Sequence, residues 1–492
     1  MPLIILIQNM EKIESKNINK IKYNNVLQKI FSFLHQKRLL QVIKNNIKIQ
    51  NILNINIKNY KECHDIFSTI EIEIKPSNSF GQFINLNEEK KNYYHIFFND
   101  NKEEIKNKYC LCKDDKVTKI KILMDYQIKS LSHIFWECIG IEAINFKKFY
   151  RNNIEDMSDM FYDCSSLNQI KFSSFNTENV TDMSYMFNGC AFLEELNLIN
   201  FRTNKVTDMI GMFHACTSLK KINISSFNTE NVTDMSKMFS KCSSLKEINL
   251  SNLNTKNVDN MSKMFAHCSS LKEIDVSNFN IENVSNMSNM FFECFSLKKL
   301  DLSKWNTESV NDISYMFANC LSLEEINLSN FNTENVDSME ETFSGCSSLK
   351  EINLSNFNTH NVTKMRGMFY KCSALKEINL SNFITNDVYN ISGMFSGCAS
   401  LKKLDISNFD TQRVTYMNEM FSGCASLEEL NIYNFNFSNV IDAQKMFSGC
   451  PKLKKINLSN EQITLFITLI GTFEECSAEL QIIDEFHPEI NE

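Results

Sequence analysis

Fourteen cysteines stand at one interval of 26 residues, from Cys138 to Cys476, and this period constrains the chain more than anything else in it. A fixed internal period of this size is the mark of a repeat architecture, in which each unit is too small to bury its own apolar face and its neighbours must cover it. The 492 residues therefore count stacked coils over most of the chain. With 43% hydrophobic residues and 22% charged, the composition supports a continuous core and does not resemble that of a disordered chain.

The copy FNTENVTDMSKMFSKCSSLKEINLSN, residues 227–252, shows the unit. In LKEINLS, Ile248 and Leu250 alternate with Glu247, Asn249 and Ser251, the period-two pattern of a short strand buried on one face. In NVTDMSKMFSKC, Val232, Met235, Met238, Phe239 and Cys242 fall at the spacing of one apolar helical face, with Thr233 or Asp234 placed to cap the first turn. A Phe precedes every repeat cysteine by three residues, from Phe135 to Phe473. Stacked at about 4.8 Å, neighbouring cysteines are close enough to pair, but a column of small buried thiols is the simpler reading. The Met stripe could form an adaptable groove or handle a soft metal, whereas its sharing an inward face with Phe and Cys makes it core.

The pattern L-x-x-I-x-L followed by S-x-F-x-T-x-x-V-x-x-M-x-x-M-F-x-x-C resembles the BspA-type leucine-rich repeat family over residues 130–480. The resemblance implies an α/β solenoid: a right-handed coil of about 14 turns with a parallel β-sheet on one side and short helices on the other. In that family the repeats serve adhesion and protein binding, which makes a protein-interaction scaffold the leading expectation and a cell-surface adhesin an alternative.

Residues 1–19 form a tail, and residues 20–62 carry helical apolar spacing at Val26, Leu27, Ile30, Phe31 and Leu34, then at Leu39, Leu40 and Ile43. The run NNVLQKIFSFLHQKRLLQVIKNN resembles an F-box, though the usual Leu-Pro opening is replaced by YNN. That resemblance implies docking of a Skp1-type adaptor through residues 20–62, making the protein a substrate-recognition adaptor of a ubiquitin ligase; the competing reading is a small helical cap. Nine Lys or Arg against one Glu in this stretch also leave contact with an anionic surface open. Residues 63–129 mix strand-like segments such as STIEIEIK and VTKIKIL and are expected to connect to and cap the first coil, and residues 481–492 form a C-terminal tail. Cys110 and Cys112 form C-x-C, but no second spaced pair completes a zinc signature.

Catalysis is not expected: there is no Gly-rich phosphate loop, nucleophile elbow or His-centred triad, and His214, His267 and His360 fall at variable repeat positions. Nor is a cofactor or metal. Residues 1–115 hold 18 Lys and Arg against 13 Asp and Glu, so by subtraction the remainder holds 33 against 46. That acidic balance argues against nucleic acid as partner. The first residues make a poor signal peptide and no apolar stretch is long enough to span a membrane, so the expected compartment is the cytoplasm, with the cell surface as alternative. Recurrent N-V-T and N-L-S triplets, as at Asn231, Asn361 and Asn249, read as Asn ladders rather than glycan acceptors.

A protein partner is expected along the polar face of the sheet. The candidate residues lie in two columns: Glu247, Glu273, Lys299, Glu325 and Glu351, and beside them Asn249, Asp275, Asp301, Asn327 and Asn353. Tyr433 interrupts a third, Ser-rich column. Trp305 replaces the usual Phe and is expected in the core, while Tyr185, Tyr315 and Tyr370 decorate the helical side, where aromatics can anchor a partner.

Overall fold

A computed structural model describes residues 50–51, 69–86, 91–124, 128–459, 462 and 471–483. The helical module expected at residues 20–62 thus lies outside the described residues apart from 50 and 51.

Residues 130–459 wind into a solenoid with a 26-residue coil. Val232, Met235, Met238, Phe239, Cys242 and Leu245 are fully buried, and their counterparts form one continuous core along the axis. The Phe rings stack coil upon coil, with centroids 5.4 Å apart at Phe161–Phe187 and 5.7 Å at Phe239–Phe265. Beside them runs the thiol column. From Cys164 onward each thiol donates to the carbonyl of the Phe in the preceding coil, as from Cys242 Sγ to Phe213 O at 3.2 Å and from Cys268 Sγ to Phe239 O at 3.2 Å. Free, buried thiols run from Cys138 to Cys450.

The side expected to be helical is not helical. From Met235 to Cys242 the chain is a succession of tight turns in which Lys237 and Lys241 have φ of 58° and 62°, a left-handed conformation no α-helix contains. Its N–H groups divide their bonds. Those of Met238, Ser240 and Cys242 reach back three residues, to Met235, Lys237 and Phe239. Those of Met235, Lys237, Phe239 and Lys241 cross to the next coil, to Asn260, Ser262, Met264 and Ala266. An isolated segment this short gains little as a helix, and stacking offers half of its N–H groups a carbonyl next door. The apolar spacing survives because three-residue turns and helical turns place nearly the same residues inward.

Asp234 caps this segment, but as a turn: its Oδ1 accepts the N–H of Ser236 at 2.7 Å. Its column forms an unbroken ladder of single bridges from Ser130 to Asp442. The expected sheet, in contrast, is interrupted. Short parallel pairs occur at β8–β9 (Glu195–Asn197 with Lys221–Asn223), β10–β11 (Lys299–Asp301 with Glu325–Asn327) and β12–β13–β14 (Glu429–Asn431, Lys455–Asn457, Gln481–Ile483). Residues 247–249, 273–275 and 351–353 form no strand ladder. The continuous backbone spine of the solenoid therefore lies on the turn side.

A third ladder is made of buried threonines. Thr333 Oγ1 donates to Asn358 O and accepts the N–H of the same residue, both at 2.8 Å. Thr333→Val keeps the shape but leaves both backbone groups without that partner. Because an unsatisfied buried group costs about 1–3 kcal/mol, the expected loss is about 2 kcal/mol in urea unfolding; a change below about 0.5 kcal/mol would show that the ladder is incidental.

Before the first coil stand β1 (Ile70–Pro76), β3 (Tyr94–Phe98), β5 (Ile120–Met124) and β6 (Ile141–Lys148), in a sheet of order β3-β5-β1-β6-β7, with β7 at Gln169–Lys171; the short β2 (Gly81–Gln82) and β4 (Cys110–Leu111) pair antiparallel with each other. Strand β6 pairs antiparallel with β1 and parallel with β7. It is the seam at which an alternating, half-buried antiparallel sheet covers the open end of the solenoid.

Candidate binding surfaces

Two long faces are available; the sequence pointed chiefly to the sheet side and, through Tyr185, Tyr315 and Tyr370, to single anchors on the other. On the sheet side Glu247, Glu273, Lys299, Glu325 and Glu351 are exposed, as are Asn249, Asp275, Asp301, Asn327 and Asn353, while Tyr433 is half-buried. The two columns have different tasks. Asn249 Oδ1 accepts the N–H of Ser251 at 3.0 Å, and Asp275, Asp301, Asn327 and Asn353 bond in the same way two residues on. The Asn/Asp column thus forms the turn that leaves the sheet side; the hydroxyl and then the N–H of Ser277 hold the Asp275 carboxyl below its ordinary range, and the N–H and then the hydroxyl of Ser303 do the same for Asp301. In the Glu/Lys column, Lys299 pairs with Glu325 at 2.8 Å, while Glu247, Glu273 and Glu351 carry no such bond to any of the described residues.

The sequons are ladders too. Asn231 Nδ2 donates to Asn204 O at 2.7 Å and Asn361 Nδ2 to Glu334 O at 2.8 Å, each bonding back to the preceding coil. Trp305 is fully buried, and its Nε1 donates to Val276 O at 3.1 Å.

The second face lies on the turn side. The three open positions of S-x-M-F-x-x-C, occupied by Lys237, Ser240 and Lys241 in one coil, line up along the axis and form grooves. The first groove, about 640 Å³, gathers His133, Trp136, Asp159, Asp163, Tyr162, Tyr185, Asn188, His214 and Lys237. A second, about 350 Å³, continues past His214 to His267 and Phe292. A third, about 250 Å³, lies between Glu341, Arg366 and Tyr370, where Arg366 pairs with Glu340 at 2.8 Å and Glu341 at 3.0 Å. Of the outlying histidines, His214 and His267 line grooves and His360 is exposed at a turn. Sequence reasoning named Tyr185 and Tyr370 here as single anchors but missed the grooves, though the signal was present: across the copies these positions hold Trp, Tyr, His, Asp, Lys, Gly and Ala, so the coil does not dictate them.

Among the described residues no three His, Cys, Asp or Glu side chains converge to hold a metal, and no helix is long and apolar enough to cross a membrane.

A 26-residue coil with a leucine-bearing strand segment, a continuous apolar core and two long open faces defines a solenoid of the leucine-rich-repeat type. The chain belongs to the family described as Mycoplasma protein of unknown function, DUF285, whose model matches residues 129–247, 212–325, 292–403 and 372–486. That match does not reach the F-box-like residues 20–62. No curated protein matches the sequence. Among solved structures, a leucine-rich repeat protein from Bacteroides ovatus is 18% identical, covering 75% of this chain and 89% of that one at a TM-score of 0.37. A leucine-rich cell surface protein from Faecalibacterium prausnitzii is 16% identical, with 78% and 98% covered and a TM-score of 0.35. A leucine-rich repeat protein from Eubacterium ventriosum is 15% identical, with 70% and 92% covered and a TM-score of 0.34. At these TM-scores the likeness adds nothing to the geometry described above.

Proposed function

We propose that the solenoid is a non-catalytic scaffold that binds a protein partner along the polar face of its sheet side. The observation that carries this reading is the division of labour between the two columns: the Asn/Asp side chains are used by the fold, whereas Glu247, Glu273 and Glu351 are exposed charges the fold does not use. Affinity on such a face comes from several weak contacts on neighbouring coils. The full chain, captured with crosslinking from its native type of cell, supplies the partner. Glu247→Lys, Glu273→Lys and Glu351→Lys together are then expected to weaken the purified pair about tenfold or more, since each rim charge contributes up to about 1 kcal/mol. Unchanged affinity at unchanged melting temperature would remove the sheet side as the interface.

A second reading rests on the F-box-like match at residues 20–62. In that reading a Skp1-type adaptor co-purifies with the full chain and is lost when residues 1–62 are deleted. The scaffold reading is compatible with the cytoplasm, as the sequence suggests, or with the cell surface, as for an adhesin; antibody labelling of intact cells decides between them.

A further inference from the structure

The second groove on the turn side is cationic, although it lies in the acidic part of the chain. Lys237, Lys241 and Lys263 line it together with His214, His267 and Phe292, and no carboxylate does. Charges on other coils of this face are paired, His267 with Glu293 at 2.9 Å and Arg366 with Glu340 at 2.8 Å. The three lysines make no ion pair among the described residues.

Negative charge is missing here without loss of the turn. Tyr185, in the column of Lys237, lies in the field of Asp208 and Asp234, one and two coils on. At Lys237 the equivalent positions are Asn260 and Asn286. Each still closes its turn: Asn260 Oδ1 accepts the N–H of Ser262 at 3.0 Å, and Asn286 Oδ1 that of Ser288 at 2.9 Å. The turn uses the oxygen and not the charge. Asp234, the last carboxylate before them, is occupied by the N–H of Ser236 at 2.7 Å and the amide of Asn260 at 3.0 Å, and the column returns to a carboxylate at Asp312.

Nor does the backbone favour lysine. Lys237, Lys241 and Lys263 have φ of 58°, 62° and 59°, a left-handed conformation that only glycine adopts without steric cost. Other coils place Gly211 and Gly367 at the position of Lys237, and Gly189 and Gly345 at that of Lys241. The lysines are therefore charges that neither the turn nor its surroundings require. Their field reaches His214, where burial first, then Lys241, Lys237 and His267, pull the imidazole down to about 4.

We propose that this groove binds a small phosphate monoester, its phosphate held between Lys237, Lys241 and Lys263 and its organic part packed against Phe292. Unpaired ammonium groups gathered in one groove call for a multivalent anion. Spacing selects a single phosphate: two ammonium groups bonded to different oxygens of one phosphate stand about 5–6 Å apart. The coils that carry Lys237 and Lys263 are 5.7 Å apart at Phe239–Phe265. Carboxylates on one face of an extended acidic peptide recur at about 6.8 Å and fall out of step with the lysines. The organic part follows from size and lining. A volume of about 350 Å³ is at the lower end of small-molecule sites, and half-buried Phe292 supplies an apolar wall beside the small Ala266.

The test titrates the full chain at low salt with phenyl phosphate, glycerol phosphate and inorganic phosphate, and with phenol and tetraglutamate as controls, read by calorimetry and phosphorus NMR. At least one of the two esters is expected to bind more tightly than inorganic phosphate and tetraglutamate, and phenol should not bind. The double variant Lys237→Gly, Lys241→Gly should weaken that ester about tenfold or more, the effect of losing two charge-assisted hydrogen bonds. Both glycines reproduce residues the chain itself uses at these positions and suit the positive φ, so the melting temperature should hold or rise. Lys445→Gly, far along the column of Lys237 and outside the groove, should leave binding unchanged. Binding of neither ester, an affinity indifferent to the double variant, or preference for inorganic phosphate or tetraglutamate would each overturn the proposal. The sheet-side reading stands or falls separately, because it rests on none of these residues.

Discussion

Between pH 9 and 10 the solenoid is expected to lose its stability abruptly. The cause is the thiol column. Burial pushes Cys216, Cys268, Cys320 and Cys372 up to about 12 from an ordinary value of 9.0, and raises Cys242, Cys294 and Cys346 as well, the neighbouring thiols adding to it. The folded chain therefore keeps its thiol protons where the unfolded chain releases them. The stabilisation is complete below the unfolded value near 9 and is lost as pH climbs toward the folded value, because the unfolded state binds fewer protons throughout that window. One thiol is worth about 1.4 kcal/mol per pH unit. Thirteen cysteines are buried, so within about one unit the loss is on the order of 10 kcal/mol, comparable with the whole stability of a typical domain. Melting temperature measured from pH 7 to 11 should be level at first and then fall steeply above 9. The triple variant Cys268→Ala, Cys294→Ala, Cys320→Ala should start lower at pH 7, having lost packing, but fall less steeply. A flat profile through pH 10 would mean that the thiols are not held protonated by burial.

Phe265→Ala should be among the most damaging single substitutions in the chain. The ring is fully buried and sandwiched between Phe239 and Phe291, each 5.7 Å away. Removing it leaves a cavity that the stacked neighbours cannot fill, at a cost of about 3–5 kcal/mol. Since each coil contacts only its neighbours, the defect weakens one interface near the middle of the array, and unfolding should separate into two steps as the coils on either side lose their coupling. Phe292→Ala, on the half-buried turn face of the next coil, provides the comparison and should cost about 1 kcal/mol or less. Urea unfolding followed by circular dichroism distinguishes them; a single transition with similar loss in both variants would contradict the nearest-neighbour picture.

What was legible in the sequence follows the physics of burial. The inward set from Val232 to Leu245 could be read from spacing alone, because whether a side chain points inward depends on where it falls in the period. The exposure of Glu247 and Glu273 was legible for the same reason. The work of Asn249 and its column was not, since a bond from Oδ1 to an N–H two residues on exists only once the backbone has turned. The first turn-side groove was missed as a groove because its residues come from five successive copies, and only stacking at the 26-residue step brings them together.

The sequence by itself determined that the chain coils with a 26-residue period, which side chains enter the core, and where Phe and Cys stack. Only the tertiary structure decided that the Met-Phe-Cys side is built of turns and that it, rather than the sheet, carries the unbroken spine. The physical reason is that three-residue turns and an α-helix demand almost the same apolar spacing but send their N–H groups to different acceptors. The N–H of Phe239 finds Met264 O at 2.9 Å only because the next coil is already there to offer it.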